Sequence, residues 1–95
     1  PAYVFHTIEV MIESGIEMGM TKEMAKELVL QTVYGSALLA MKSKLSPTEL
    51  REEVTSKGGT TDAAITHLAN NGYTKIVIEA ILEARNRSKE LGDAK

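Results

Sequence analysis

LVLQTVYGSALLAM, residues 28–41, holds no charged side chain over fourteen positions. Upstream of it Thr21 is a plausible N-cap, and Met24, Leu28, Val29, Thr32, Val33, Ser36 and Ala40 recur at three- and four-residue spacing, so one long helix is predicted from Thr21 to about Lys44. The uncharged stretch is shorter than the ~18 residues that a membrane-spanning helix needs. It is also apolar on more than one face, and such a helix needs neighbours on more than one side. Five helices in 95 residues do not readily surround it. A second copy of the chain is therefore predicted to supply the missing neighbours through a sizeable apolar interface. Gly35, Ser36 and Ala37, small and consecutive, allow another backbone to approach closely, either from that second copy or in a tight crossing within the chain.

The rest of the chain also reads as helical. Val4, Ile8, Met11, Ile12 and Gly15 or Ile16 form the apolar stripe of a first helix, which Gly19 closes. Ser46, Pro47 and Glu49 supply a capping side chain, a first-turn proline and the reciprocal acid for a short third helix ending near Thr55. Thr60 or Thr61 can cap a fourth helix, Asp62 suits its positive end, and Asn70-Asn71-Gly72 stops it in a left-handed turn. A fifth, starting at Thr74, carries Ile76, Val77, Ile78, Ala80, Ile81, Leu82 and Ala84 before Gly92 and a polar tail. The fold class is all-α, about five helices, with residues 1–95 as one domain.

Composition narrows the function. Eleven Lys and Arg against thirteen Asp and Glu give a net charge of -2, so no cationic field is available for nucleic acid. With no cysteine and no segment resembling a signal peptide, the chain is expected to be cytoplasmic, with no membrane partner. Pro1 stands where an initiator methionine would be, which predicts that these residues belong to a longer or processed protein.

Most chemistry-bearing residue types have an ordinary reading. His6 with Glu9, Glu13 and Glu17 lacks the acid-before-histidine order of a carboxylate-bridged dimetal helix, and a solvated acidic face is the better reading, so no metal is expected. His67 lies within two turns of a glycine segment, but no carboxylate at a fitting spacing orients it, and a surface or interface position is favoured over acid–base work. The five methionines read as adaptable core filler. Asn86-Arg87-Ser88 matches a glycosylation sequon by coincidence within a helix. No Gly-x-Gly-x-x-Gly and no Walker-type loop is present, so no dinucleotide site is expected in this chain.

One segment stands apart: TSKGGTT, residues 55–61. Its plain reading is a turn with a threonine cap. Its parts also suit a small anion. Gly58 and Gly59 present backbone N–H groups without side chains in the way, a helix N-terminus follows, and Ser56, Thr60 and Thr61 add hydroxyls, with Lys57 available for charge.

With PAYVF at the start, Gln31, Thr32 and Gly35 in the second helix, and Leu50, Val54, Thr55, Ser56, Gly58, Gly59, Thr60, Thr61, Ala64, Ile65 and Leu68 in one spaced motif, the chain resembles the C-terminal domain of pyrroline-5-carboxylate reductases over nearly its whole length. The resemblance implies an intertwined helical-bundle homodimer of the 6-phosphogluconate dehydrogenase C-terminal-like kind, at times built into larger rings. It further implies an N-terminal Rossmann domain outside this chain that holds NADPH or NADH, and reduction of pyrroline-5-carboxylate to proline, the last step of proline synthesis. On the matching positions, Ser56, Gly58, Gly59 and Thr60 would hold the substrate carboxylate and Thr61 would place its hydroxyl near the ring nitrogen. Three positions depart from the family pattern: Lys57 replaces a commoner proline, Asp62 a usual apolar residue, and Ala69 a frequent acid. The rival readings are a non-catalytic helical interaction module and a paralogue that keeps the fold without the activity. A standalone hydrolase lacks any nucleophile and base arrangement.

Overall fold

A computed structural model describes residues 1–93. They form five helices in chain order: α1 (Ala2–Glu17), α2 (Lys22–Lys42), α3 (Pro47–Glu53), α4 (Thr60–Asn70) and α5 (Tyr73–Asp93), with no strand among the described residues. Two compact units result, the first spanning Pro1–Leu50 and the second running from Arg51 onward.

In the first unit α1 turns back into α2 through a glycine stop. The Met20 N–H donates to the Gly15 carbonyl and the Gly19 N–H to that of Ile16, both at 3.0 Å. Gly19 sits at φ 100°, so the two bonds make the paired pattern of a left-handed helix stop. The Thr21 hydroxyl oxygen then accepts from the Met24 N–H at 3.1 Å, as expected of the N-cap. The two helices meet where their side chains are smallest: Gly15, Ala25 and Val29 are the buried residues of α1 and α2. The close crossing within the chain is therefore at Gly15, while Gly35 has no atom within 4 Å of the place its Cβ would take.

Little else of these helices is covered. Leu28, Tyr34, Leu39 and Met41 on α2 are 51%, 66%, 55% and 82% exposed. The expectation that the methionines fill a core is not met within one chain, because Met11, Met18, Met24 and Met41 are exposed. Met11, Met18 and Met20 instead line, with Leu28 and Val29, an open apolar groove of about 270 Å³ between α1 and α2. Each Val- or Leu-sized side chain left in water forgoes about 1.5–3 kcal/mol of burial. The apolar faces of α2 thus await another surface.

A reciprocal cap starts α3: the Glu49 N–H donates to the Ser46 hydroxyl at 3.1 Å and the Ser46 N–H to Glu49 Oε1 at 3.0 Å. In the second unit, α4 ends at Asn71 and Gly72, whose N–H donates to the Ala69 carbonyl at 3.3 Å with φ 79°. The Gly72 carbonyl in turn accepts the Ile76 N–H at 2.9 Å, so α5 begins at Tyr73, one residue before the expected Thr74. Helix α5 runs on through Gly92 to Asp93, where a stop had been expected. A single glycine costs a helix only ~1 kcal/mol, and no proline follows. Its apolar residues Ile76, Ile78 and Leu82 stay 67%, 53% and 41% exposed.

Candidate functional site

The glycine segment lies wholly in the second unit, between α3 and α4. Its first residue ends α3: the Thr55 hydroxyl donates to the Arg51 carbonyl and the Thr55 N–H to that of Glu52. A tight turn follows. The Gly59 N–H donates to the Ser56 carbonyl at 2.9 Å, and Gly58, third of the four turn residues, has φ 76°. A first-to-fourth bond with positive φ at the third position is the type II pattern, in which glycine belongs at Gly58 and proline is favoured at the second position, here Lys57. The second glycine is needed for space: a Cβ on Gly59 would lie 3.1 Å from the Ser56 carbonyl oxygen.

The structure alters the sequence reading of the donors. Both glycine N–H groups, expected to be free, are engaged inside the loop. Gly59 gives its hydrogen to Ser56, and Gly58 donates to Asp62 Oδ2 at 2.9 Å. The physical reason is the turn itself, which closes on its fourth residue and directs the amide of its third toward the first turn of α4. The cap also shifts, from Thr60 or Thr61 to Gly59, whose backbone is extended (φ -86°, ψ -175°) and which has no side chain to cap with.

Donors remain one residue further on. The first bond into α4 runs from the Ala63 N–H to the Gly59 carbonyl at 3.1 Å, so the amides of Thr60, Thr61 and Asp62 precede the helical ladder. They carry the positive end of the helix dipole. Ser56, Lys57, Gly58, Thr60 and Thr61 are all exposed, while Gly59 and Asp62 are half-buried. Thr60 and Thr61, with their amides and hydroxyls, thus stand exposed at the start of α4, and Ser56 and Lys57 stand exposed in the turn just before it. Such a set can accept one carboxylate: its two oxygens take N–H bonds while a hydroxyl reaches a neighbouring polar atom. The Asp62 carboxylate already offsets part of the dipole, and its Oδ1 accepts the Thr66 hydroxyl at 3.4 Å.

The other singled-out residues stay apart from this loop or serve elsewhere. His67 is exposed and acts through its backbone, its carbonyl accepting the Asn71 side-chain N–H at 2.8 Å. His6 Nδ1 lies 3.3 Å from Glu9 Oε1 on an exposed face of α1. Among the described residues no group of three or more histidines and acids gathers as metal ligands, and no helix is long and apolar enough to cross a membrane. Sequence reasoning missed the bond between Asp62 and Gly58; its signal was an acid at the third helical position, the usual place for a side chain that reaches back.

Helices with uncovered apolar faces are the mark of an association domain. The chain belongs to the pyrroline-5-carboxylate reductase dimerisation family, which matches residues 1–91. A pyrroline-5-carboxylate reductase of Pseudomonas aeruginosa is 42% identical over 93 residues, covering 98% of this chain and 34% of that protein. The chain spans about a third of the length of the curated relatives it matches. Among solved structures, a Plasmodium falciparum pyrroline carboxylate reductase with NADP bound superposes with a TM-score of 0.94 at 36% identity, over 97% of this chain and 36% of that one. A pyrroline-5-carboxylate reductase of Coxiella burnetii gives 0.91 at 43% identity, over 96% and 34%.

Proposed function

We propose that this chain is the dimerisation and substrate-binding part of a cytoplasmic pyrroline-5-carboxylate reductase, joined in the complete protein to a Rossmann domain. The observation that carries the reading is the family match over residues 1–91 together with the polar loop at the start of α4. Two copies pair through the exposed apolar faces, with α2 as the centre of the interface; Gly35, Ser36 and Ala37 admit the partner's backbone.

The substrate is a five-membered ring imine with one carboxylate. The N–H groups of Thr60 and Thr61 hold that carboxylate, aided by the Ser56 hydroxyl, while Gly58 and Gly59 shape the turn that aims them. Thr61 Oγ1 meets the ring nitrogen and so fixes which face of the imine carbon is presented. No strand and no Gly-x-Gly-x-x-Gly turn occurs among the described residues, so these residues do not fit a dinucleotide and the nicotinamide belongs to the Rossmann domain. That NADPH or NADH supplies the hydride. What this chain contributes is orientation, which in a well-aligned site accounts for several kcal/mol of a reaction barrier.

The test is imine-dependent oxidation of the reduced nicotinamide by the complete protein. Thr61→Val removes one hydrogen bond to a group that gains charge and should lower kcat/KM by about tenfold to a hundredfold, with Thr61→Ser retaining most of it. A complete protein without imine-dependent turnover, or a Thr61→Val variant as active as its parent, rejects the reading.

A further inference from the structure

We infer that Asp62 is a positioning residue, a strut that holds the Ser56–Gly59 turn in the shape its own backbone does not enforce. The type II turn needs φ near −60° at its second residue and a positive φ at its third. Glycine meets the second requirement and does so without preference, since Gly58 and Gly59 together form the most freely rotating pair a chain can contain. The first requirement falls to Lys57, which fixes nothing. A proline there would lock φ, and among the described residues the Lys57 N–H donates no hydrogen bond that a proline would remove. With one bond closing it, from the Gly59 N–H to the Ser56 carbonyl, such a turn would sample other shapes.

Asp62 supplies the missing restraint from outside the turn. It stands in the first turn of α4, half-buried, and its two oxygens work on opposite sides. Oδ2 takes the Gly58 N–H at 2.9 Å, and Oδ1 takes the Thr66 hydroxyl at 3.4 Å one helical turn further on. The turn is thereby tied to α4, the same helix whose leading amides belong to Thr60 and Thr61. Lysine at 57 provides no conformational lock, and aspartate at 62 supplies a hydrogen bond that does the same work. The strut stands on this geometry alone; its effect on substrate rests on the function proposed above. Asp62 consumes the Gly58 amide and leaves those of Thr60 and Thr61 for a guest.

Three variants of the complete protein test it. Asp62→Ala should speed hydrogen exchange at the Gly58 amide by about tenfold or more, and raise KM for the imine by about tenfold with kcat at saturation much less affected. Asp62→Asn, whose side-chain oxygen can still accept, should stay close to the parent in both readouts. Lys57→Pro placed in the Asp62→Ala protein should bring KM back toward the parent value, which a merely destabilised fold would not do. An unchanged Gly58 exchange rate in Asp62→Ala overturns the strut. So does a lowered KM in that variant, which would make Asp62 an electrostatic competitor of the substrate, and so does a Lys57→Pro that folds but fails to rescue. If the complete protein has no reductase activity, the functional reading falls while Gly58 exchange still decides the strut.

Discussion

A Cβ added to Gly15 of α1 would lie 2.9 Å from the Ala25 Cβ of α2 and 3.3 Å from the Met20 sulfur. No real pair of Cβ atoms approaches that closely, so the first two helices touch because position 15 has no side chain. The groove lined by Met11, Met18 and Leu28 opens beside this point of contact.

Gly15→Val should therefore push the helices apart. Overpacking of a tight contact costs about 1–3 kcal/mol, and the gain in helix propensity over glycine is less than ~1 kcal/mol. Urea unfolding at fixed protein concentration should show the loss as a lower midpoint. A midpoint equal to or above the parent's would mean that the crossing yields without strain.

Gly35 gives the opposite test on the same pair of helices. Its missing Cβ would meet nothing within 4 Å in one chain, so in a monomer Gly35→Ala should add up to ~1 kcal/mol of helix stability. In a dimer whose partner backbone crosses at Gly35, Ser36 and Ala37, the same methyl should weaken association. We expect light scattering to find the parent dimeric or larger, and Gly35→Ala to dissociate at a higher concentration than the parent does. Unchanged association would move the interface away from Gly35.

How far the sequence reached depended on the range of the interaction. Three helix ends were legible because their signals are local: Thr21 caps through a residue three positions on, Ser46 and Glu49 cap each other, and Gly72 turns left-handed where expected, whereas the α4 cap and the end of α5 fell elsewhere. The crossing was not. A period of three and four places Gly15 on the apolar stripe without saying that it, rather than Gly35, meets a neighbour within the chain. The loop was legible as a composition and misread as a donor set. Which amide is free in TSKGGTT depends on the turn type, and that in turn decides that Asp62, four residues from Gly58, lies within reach.

The Ser46–Glu49 cap carries a pH signature. The Ser46 backbone N–H, then its hydroxyl, hold the Glu49 carboxyl below its ordinary value of 4.5. A carboxyl whose folded value is depressed binds its proton more readily in the unfolded chain. Its contribution is present above the unfolded value and is lost as pH falls through the folded one. Glu49→Gln should accordingly flatten the fall in stability below about pH 4.5 while leaving the shape of the curve near neutrality unchanged. Thermal unfolding across pH 3–7 measures it, and parallel curves for parent and variant would show that this exposed cap is too well solvated to matter.

The two glycines of the loop should fail differently when each is replaced by alanine. At Gly58 the obstacle is conformational: φ 76° costs a residue with a Cβ roughly 1–2 kcal/mol, although the added methyl meets nothing within 4 Å. The chain can relieve this by flipping the turn, which would release the Gly58 amide from Asp62. At Gly59 the backbone is extended and acceptable to any residue, but the methyl would press on the Ser56 carbonyl at 3.1 Å and so strain the bond that closes the turn. Gly58→Ala should thus speed exchange at the residue-58 amide and raise KM for the imine, whereas Gly59→Ala should mainly loosen the residue-59 amide. Because the Thr60 and Thr61 amides follow directly on Gly59, its displacement shifts both donors together, and the larger loss of kcat/KM is expected there. Equal losses, with no difference between the two amides in exchange, would show that the segment tolerates reshaping and that its glycines serve only to connect two helices.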